Sequence, residues 1–249
     1  MTINYIPLDK EKHKDLKVNL KHDFSFAKDT HLAAVTLREF PQVASAMPLV
    51  FVKDNKTGSV HAIAMLGTEQ NVNMFMHDGK WQGHAIPMNV IRYPFDVRPD
   101  GEKLGVFIDE NSSLVGSEGE PLFTAEGEAT PFLQNRQQLL ADLANSEIAS
   151  QRFTKMLTEL DLLQPMQIHI EYQNGERRSL NGIITINEKR LAELADDKVL
   201  ELHKAGFLGA IYTMLTSLGQ LNRLVQLSAN TDKPIKAMQL AVENKTEAA

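Results

Sequence analysis

Cysteine is absent from the 249-residue sequence. Its absence removes disulfides, thiolate metal sites, iron–sulfur clusters and cysteine nucleophiles together, and it fits a reducing compartment. Basic charge is in deficit as well: 26 Lys and Arg stand against 32 Asp and Glu, a net charge of −6 with a pI near 5.8. That balance excludes strong nonspecific nucleic-acid binding, which depends on cations neutralising phosphates. No long hydrophobic run occurs. The most apolar stretch, Phe207–Gly219, is shorter than the ~20 residues that span a bilayer, and Gln220, Asn222 and Arg223 follow at once. It is predicted to be a buried core helix. The opening residues show no apolar run behind a basic start, so no secretory signal is readable and a cytoplasmic location is expected. Glycine-rich nucleotide loops and the Gly-x-Ser-x-Gly nucleophile elbow are also missing.

What remains is ordinary globular composition, 43% hydrophobic and 23% charged, enough to bury a core without staples. Residues 1–29 form a polar arm in which Lys10, Lys12, Lys14, Lys17, Lys21 and Lys28 alternate with Asp9, Glu11, Asp15, Asp23 and Asp29, a solvated mixed-charge face. From residue 30, strand-like runs alternate with turn signals. Thr36 and Glu39 make a capping box ahead of Pro41. Asp78-Gly79 and Asn174-Gly175 are hairpin turns. Thr130-Pro131 opens a helix, and a second helix is predicted from about Ser146 to Leu163, ended by Pro165. The run 187–206 is helical, broken near Asp196 and closed at Gly206. The predicted fold is α+β: antiparallel hairpins and sheet, a helical middle segment and a C-terminal helical block. Residues 30–228 are expected to form one domain and 229–249 a polar, flexible tail.

Three constellations suggest chemistry. His169 and Glu171 share one face of a strand and, with His203, would supply a two-histidine, one-carboxylate metal site. A solvated hairpin face, and a helix C-terminus favouring an imidazolium at His203, explain the same residues without a metal. Asp109, Asn111, Ser113 and Glu120 occupy calcium-loop positions, but Leu114 stands where the loop requires glycine. Ser45, Ser217 and Ser228 have no obvious histidine partner in the sequence. The stretch Trp81–Phe95 holds the only tryptophan, and Trp81, Arg92, Tyr93 and Phe95 could line a groove for a peptide carboxylate. The structural alternative is a strand, a short helical bend after Pro87 and an extended exit, with Arg92 paired to a carboxylate such as Glu39 or Asp109.

The segments "REFPQVASAMPLVFVKD", "MFMHDGKWQGHAIPMNVIRYPF", "GEPLFTAEGEATPFLQ", "LNGIITINEKRLAEL" and "AGFLGAIYTMLTSLGQLNRL" occur in an order and spacing that resembles the bacterial SapC-like family, over about Thr30 to Leu227. The resemblance implies an association with surface-layer protein export, and with flavin-dependent halogenase-like proteins encoded near family members. It supplies no catalytic residues. The leading expectation is therefore a non-catalytic accessory protein that binds a peptide, protein or surface-associated substrate. Such a partner could be a halogenase-like protein or the export machinery. No cofactor is predicted. The alternatives are a metal-assisted oxygenase or hydrolase using His169, Glu171 and His203, and a homo-oligomeric scaffold using the helix at 207–227.

Overall fold

A computed structural model of the protein describes residues 3–19, 24–101 and 103–243. Lys21 and Asp23 of the arm, and residues 244–249 of the expected tail, lie outside the described residues. In chain order the elements are β1 (Tyr5–Pro7), β2 (Lys17–Val18), β3 (Leu32–Ala34), α1 (Phe40–Ala44), β4 (Leu49–Lys53), β5 (Val60–Met65), β6 (Met76–His77), β7 (Lys80–Trp81) and α2 (Met88–Ile91). They continue with β8 (Phe95–Asp100), β9 (Lys103–Asp109), β10 (Val115–Gly116), β11 (Glu120–Pro121), α3 (Pro131–Glu159), β12 (Leu163–Tyr172) and β13 (Arg177–Ile186). The last are α4 (Glu188–Ala192), α5 (Asp196–Lys204), α6 (Phe207–Ser217), α7 (Leu221–Ser228) and β14 (Ile235–Val242). The fold is α+β, and every strand pairing is antiparallel.

The elements divide into two units, Met1–Asp23 with Met88–Glu147, and Phe24–Pro87 with Ile148–Ala249. The first holds two three-stranded sheets, β1-β9-β8 and β10-β2-β11. Its core gathers Val18, Phe95, Ile108, Leu122, Leu133 and Leu140. The arm expected to be a solvated face is thus part of a core. Val18 is fully buried, and Ile6, Leu8 and Leu16 pack beside it, because apolar residues recur between the lysines and turn inward while the charges stay out. The start of α3 behaves as the sequence predicts: Thr130 Oγ1 accepts the Leu133 amide at 3.3 Å and donates to the Pro121 carbonyl at 2.7 Å.

The second unit is built on a six-stranded sheet, β14-β12-β13-β4-β5-β3, with the small β6-β7 hairpin apart from it. Helices α6 and α7 pack on one face, against β4, β13 and β14. The Ser217 hydroxyl accepts the Leu49 amide at 2.8 Å. Phe153 of α3 lies beside Phe51 of β4, ring centroids 6.1 Å apart, and also meets Phe40 of α1 and Phe207 of α6. Both hairpin turns form where predicted, with Asp78, Gly79 and Gly175 at positive φ, and Gly206 at φ 75 precedes α6.

Three expectations about element limits change. The two helices predicted between 130 and 163 are one helix of 29 residues. No glycine or proline interrupts it after Pro131, and serine or asparagine costs only tenths of a kcal/mol inside a helix. It ends at Glu159, ahead of Asp161 at φ 55, and Pro165 lies within β12. Proline is tolerated there because, among the described residues, the position joins the edge strand only through its carbonyl, which accepts the Glu243 amide at 3.2 Å, so the missing N–H costs no observed bond. The segment expected to be a frayed tail forms β14. Met238, Leu240 and Val242 alternate along it and oppose Ile170, Ile168 and Met166 of β12, and the Ser228 hydroxyl accepts the Ile235 amide at 2.8 Å. Polar flanks on both sides conceal this period-two pattern in the sequence.

Candidate functional site

The four residues proposed from the Trp81–Phe95 stretch do not fall in one unit: Trp81 belongs to the second, and Arg92, Tyr93 and Phe95 to the first. Trp81 leaves the β6-β7 hairpin and stacks on Phe75 at 5.7 Å, with Phe24 edge-on at 6.0 Å. Its indole N–H donates to the Ala85 carbonyl at 2.8 Å, and Arg223 donates to the Gln82 carbonyl at 3.2 Å. The loop after the hairpin is therefore held at two backbone points. Aromatic flat faces here are spent on one another.

Arg92 pairs with Asp96, four residues on, and not with Glu39 or Asp109. Asp96 is buried and also accepts Arg98 Nε and the Val97 amide, each at 2.8 Å. Asp109, equally buried, accepts the Asn4 amide at 2.8 Å, the Tyr93 hydroxyl at 2.9 Å and the Asn111 amide at 3.2 Å. That use of Asp109, with Glu120 out on β11, accounts for the calcium-like spacing without an ion. The Arg98 guanidinium lies 4.2 Å above the Tyr5 ring. Burial, and then the Asp96 charge, push the Tyr5 phenol up to about 12. Phe95 is fully buried against Phe132. His13, also fully buried, takes the Asp9 amide on Nδ1 at 2.9 Å and faces Glu110 at 3.3 Å; Lys12 holds the Glu110 carboxyl below its ordinary range. Two carboxylates surrounded by donors tie β1, β8 and β9 together, which is a structural use of charge.

A raised tyrosine has a consequence at high pH. The folded state keeps Tyr5 protonated while the unfolded chain ionises it, so this stability is full below pH 10.0 and is lost as pH rises toward 12. Allowing for the ring's solvent-open edge, the loss is about 1 kcal/mol. Urea unfolding at rising pH is expected to show it, and Tyr5→Phe to remove it. An unchanged alkaline limb in Tyr5→Phe would assign the loss elsewhere.

His169 and Glu171 share a strand face, as predicted. His169 Nδ1 bonds Ser179 Oγ at 2.9 Å. Glu171 takes Lys236 at 2.7 Å and Arg177 at 3.7 Å, and the Lys236 hydrogen bond holds its carboxyl below the usual range. His203 lies on α5 and does not join them: among the described residues no group of three or more His, Asp or Glu is placed to hold a metal. Ser45 does meet a histidine, His84 Nε2 at 2.8 Å, and its hydroxyl also lies 2.6 Å from the Gln42 carbonyl. The hydroxyl has one proton and two neighbours able to accept it, the Gln42 carbonyl and the imidazole, and the contact is exposed. Nothing in the sequence signals a pairing across 39 positions.

One open feature of the second unit is a trough of about 640 Å³ beside the C-terminal half of α3; another, of about 460 Å³, is lined by His169 and Glu171. The first begins where helix cover over Phe51 stops. Register explains its floor: Pro165 opposes Ile184, Ile184 opposes Phe51, and Val60 opposes Lys53, so these residues share the face that α3 only partly covers. Val60, Leu163, Pro165 and Ile184 are all partly or fully exposed there. The charged residues lining it are Lys53 and Lys155, both basic in a chain of net charge −6. Lys53 forms no ion pair among the described residues, and Lys155 lies 3.8 Å from Glu159 one turn on along α3. The sequence predicted a helix over the stretch that lines this trough, from about Ser146, but not which strands it would lie against.

The first unit is tied by buried carboxylates and the second bears a half-covered sheet face. The SapC family model matches residues 8–224, and the chain belongs to the SapC family. The match takes in most of the arm, so the family domain starts earlier than Thr30. No curated protein and no solved structure matches the chain. Among the described residues no helix is long and apolar enough to cross a membrane.

Proposed function

We propose that this SapC-family protein is an accessory binding protein that holds an extended, apolar and acidic peptide segment of a partner protein, with no reaction of its own. The observation that carries this reading is the trough beside α3, whose apolar floor is open and whose charged lining is entirely basic. An apolar strip supplies area, and two lysines select the sign of the segment's charge. A halogenase-like enzyme or a component of surface-layer export, the settings implied by the family resemblance, would present such a segment.

The test is fluorescence anisotropy with dye-labelled peptides of equal apolar content, one set rich in glutamate and one in lysine. The acidic set is expected to bind. Changing Lys53 and Lys155 together to glutamate should weaken it at least about tenfold and shift preference toward the basic set. Equal binding of both sets, or binding indifferent to the double change, would overturn the assignment.

A further inference from the structure

We propose that β14 is a dimerisation edge, on which a second copy of this chain adds its own β14 antiparallel across a two-fold axis centred on Leu240. The two margins of the six-stranded sheet differ. At one, β3 is three residues long; at the other, β14 runs for eight and, among the described residues, pairs only on its β12 side. An unpaired edge leaves every second N–H and C=O without a strand partner, and folded proteins blunt such edges with charge, proline, bulges or shortness. Over Ala237–Val242 the sequence AMQLAV has no charge, no proline and no glycine. The one charged side chain earlier in the strand, Lys236, is held by Glu171 at 2.7 Å. Val242 is half exposed, while Met238 and Leu240 are only partly covered.

The occupant follows from the order of the side chains. With Leu240 on the axis, Met238 opposes Val242 on one face. Gln239 opposes Ala241 and Ala237 opposes Glu243 on the other. Apolar meets apolar, no like charges face each other, and both strands gain the same hydrogen bonds, as an isologous contact requires. A pairing of this length buries less than a standard interface, so the dimer forms in a concentration-dependent way. The proposal is independent of the trough, whose lysines take no part in it.

Sedimentation equilibrium of the full chain is expected to give a mass rising from 27.9 kDa toward twice that value as concentration increases. Leu240→Lys should raise the dimer dissociation constant about tenfold or more, with the Trp81 fluorescence of the folded chain retained. Tyr212→Lys, on the exposed side of α6, should not. Because the chain has no cysteine, single variants read the register directly. Under mild oxidation Leu240→Cys should crosslink faster than Met238→Cys or Ala241→Cys, and this holds even if the lysine variant fails to fold. A one-chain mass up to the solubility limit overturns the proposal. So does a dimer that Tyr212→Lys disrupts and Leu240→Lys spares, or one whose crosslinking is not greatest at 240.

Discussion

Replacing Asp96 with alanine is expected to destabilise the protein by about 3 kcal/mol. Its carboxylate is buried and holds three donors: Arg92, Arg98 and the Val97 amide. Removing it does not simply delete a favourable contact. It strands the Arg92 guanidinium, itself only 26% exposed, beside a carboxylate-shaped gap, and leaves an amide short of an acceptor. Asp96→Asn keeps an acceptor for one or two of the donors but no charge, so it should fall between wild type and alanine. Arg98→Ala should cost less than either, because that side chain is 44% exposed and water replaces its partner. Urea unfolding midpoints of the three variants check the ranking. A loss under about 1 kcal/mol for Asp96→Ala would mean that Arg92 is solvated on release, and that the cluster is not the tie it resembles.

The second large effect is expected at Trp81. Truncation to alanine removes a ring stacked on Phe75, an edge contact with Phe24 and the hydrogen bond that fixes Ala85. About 3 kcal/mol is expected, toward the low end for aromatic truncation because the residue is half-buried. Trp81→Phe keeps a ring against Phe75 and loses the N–H donor, so about 1 kcal/mol should suffice there. Thermal unfolding separates the two. Peptide affinity at the trough supplies a second readout: Trp81→Phe should leave it unchanged, whereas a drop comparable to that of the lysine reversals would return the binding surface to the hairpin.

Some of the candidate chemistry was legible and some was not, for identifiable reasons. His169 and Glu171 share a face because strand side chains repeat every two residues. Whether a distant His203 joins them depends on where α5 lands, and strand periodicity says nothing about that. The Arg92–Asp96 pair was within reach of the sequence, being four residues apart, yet the sequence pointed to Glu39 or Asp109 as partners for the same guanidinium. The choice fell to Asp96, which the turn into β8 buries beside it. The expected division of α3 into two helices near Ser146 does not occur, because helix continuation through Asn145 and Ser146 costs little and burial of Leu143, Phe153 and Leu157 offsets that cost.

By itself the sequence determined the α+β class, the two Asx-Gly hairpin turns, the Thr36 and Thr130 helix starts, the closure at Gly206 and the family. These rest on torsional preferences, capping groups and side-chain spacing that act within a few residues. Only the tertiary structure decided that the lysine-rich arm joins a core, that β14 edges the sheet, that Asp109 serves Asn4 across 105 positions, and that α3 stops short of Val60 and leaves a trough open. Each of these depends on which distant segments exclude water from one another. That outcome is set by the packing of the whole chain and is written in no single stretch of it.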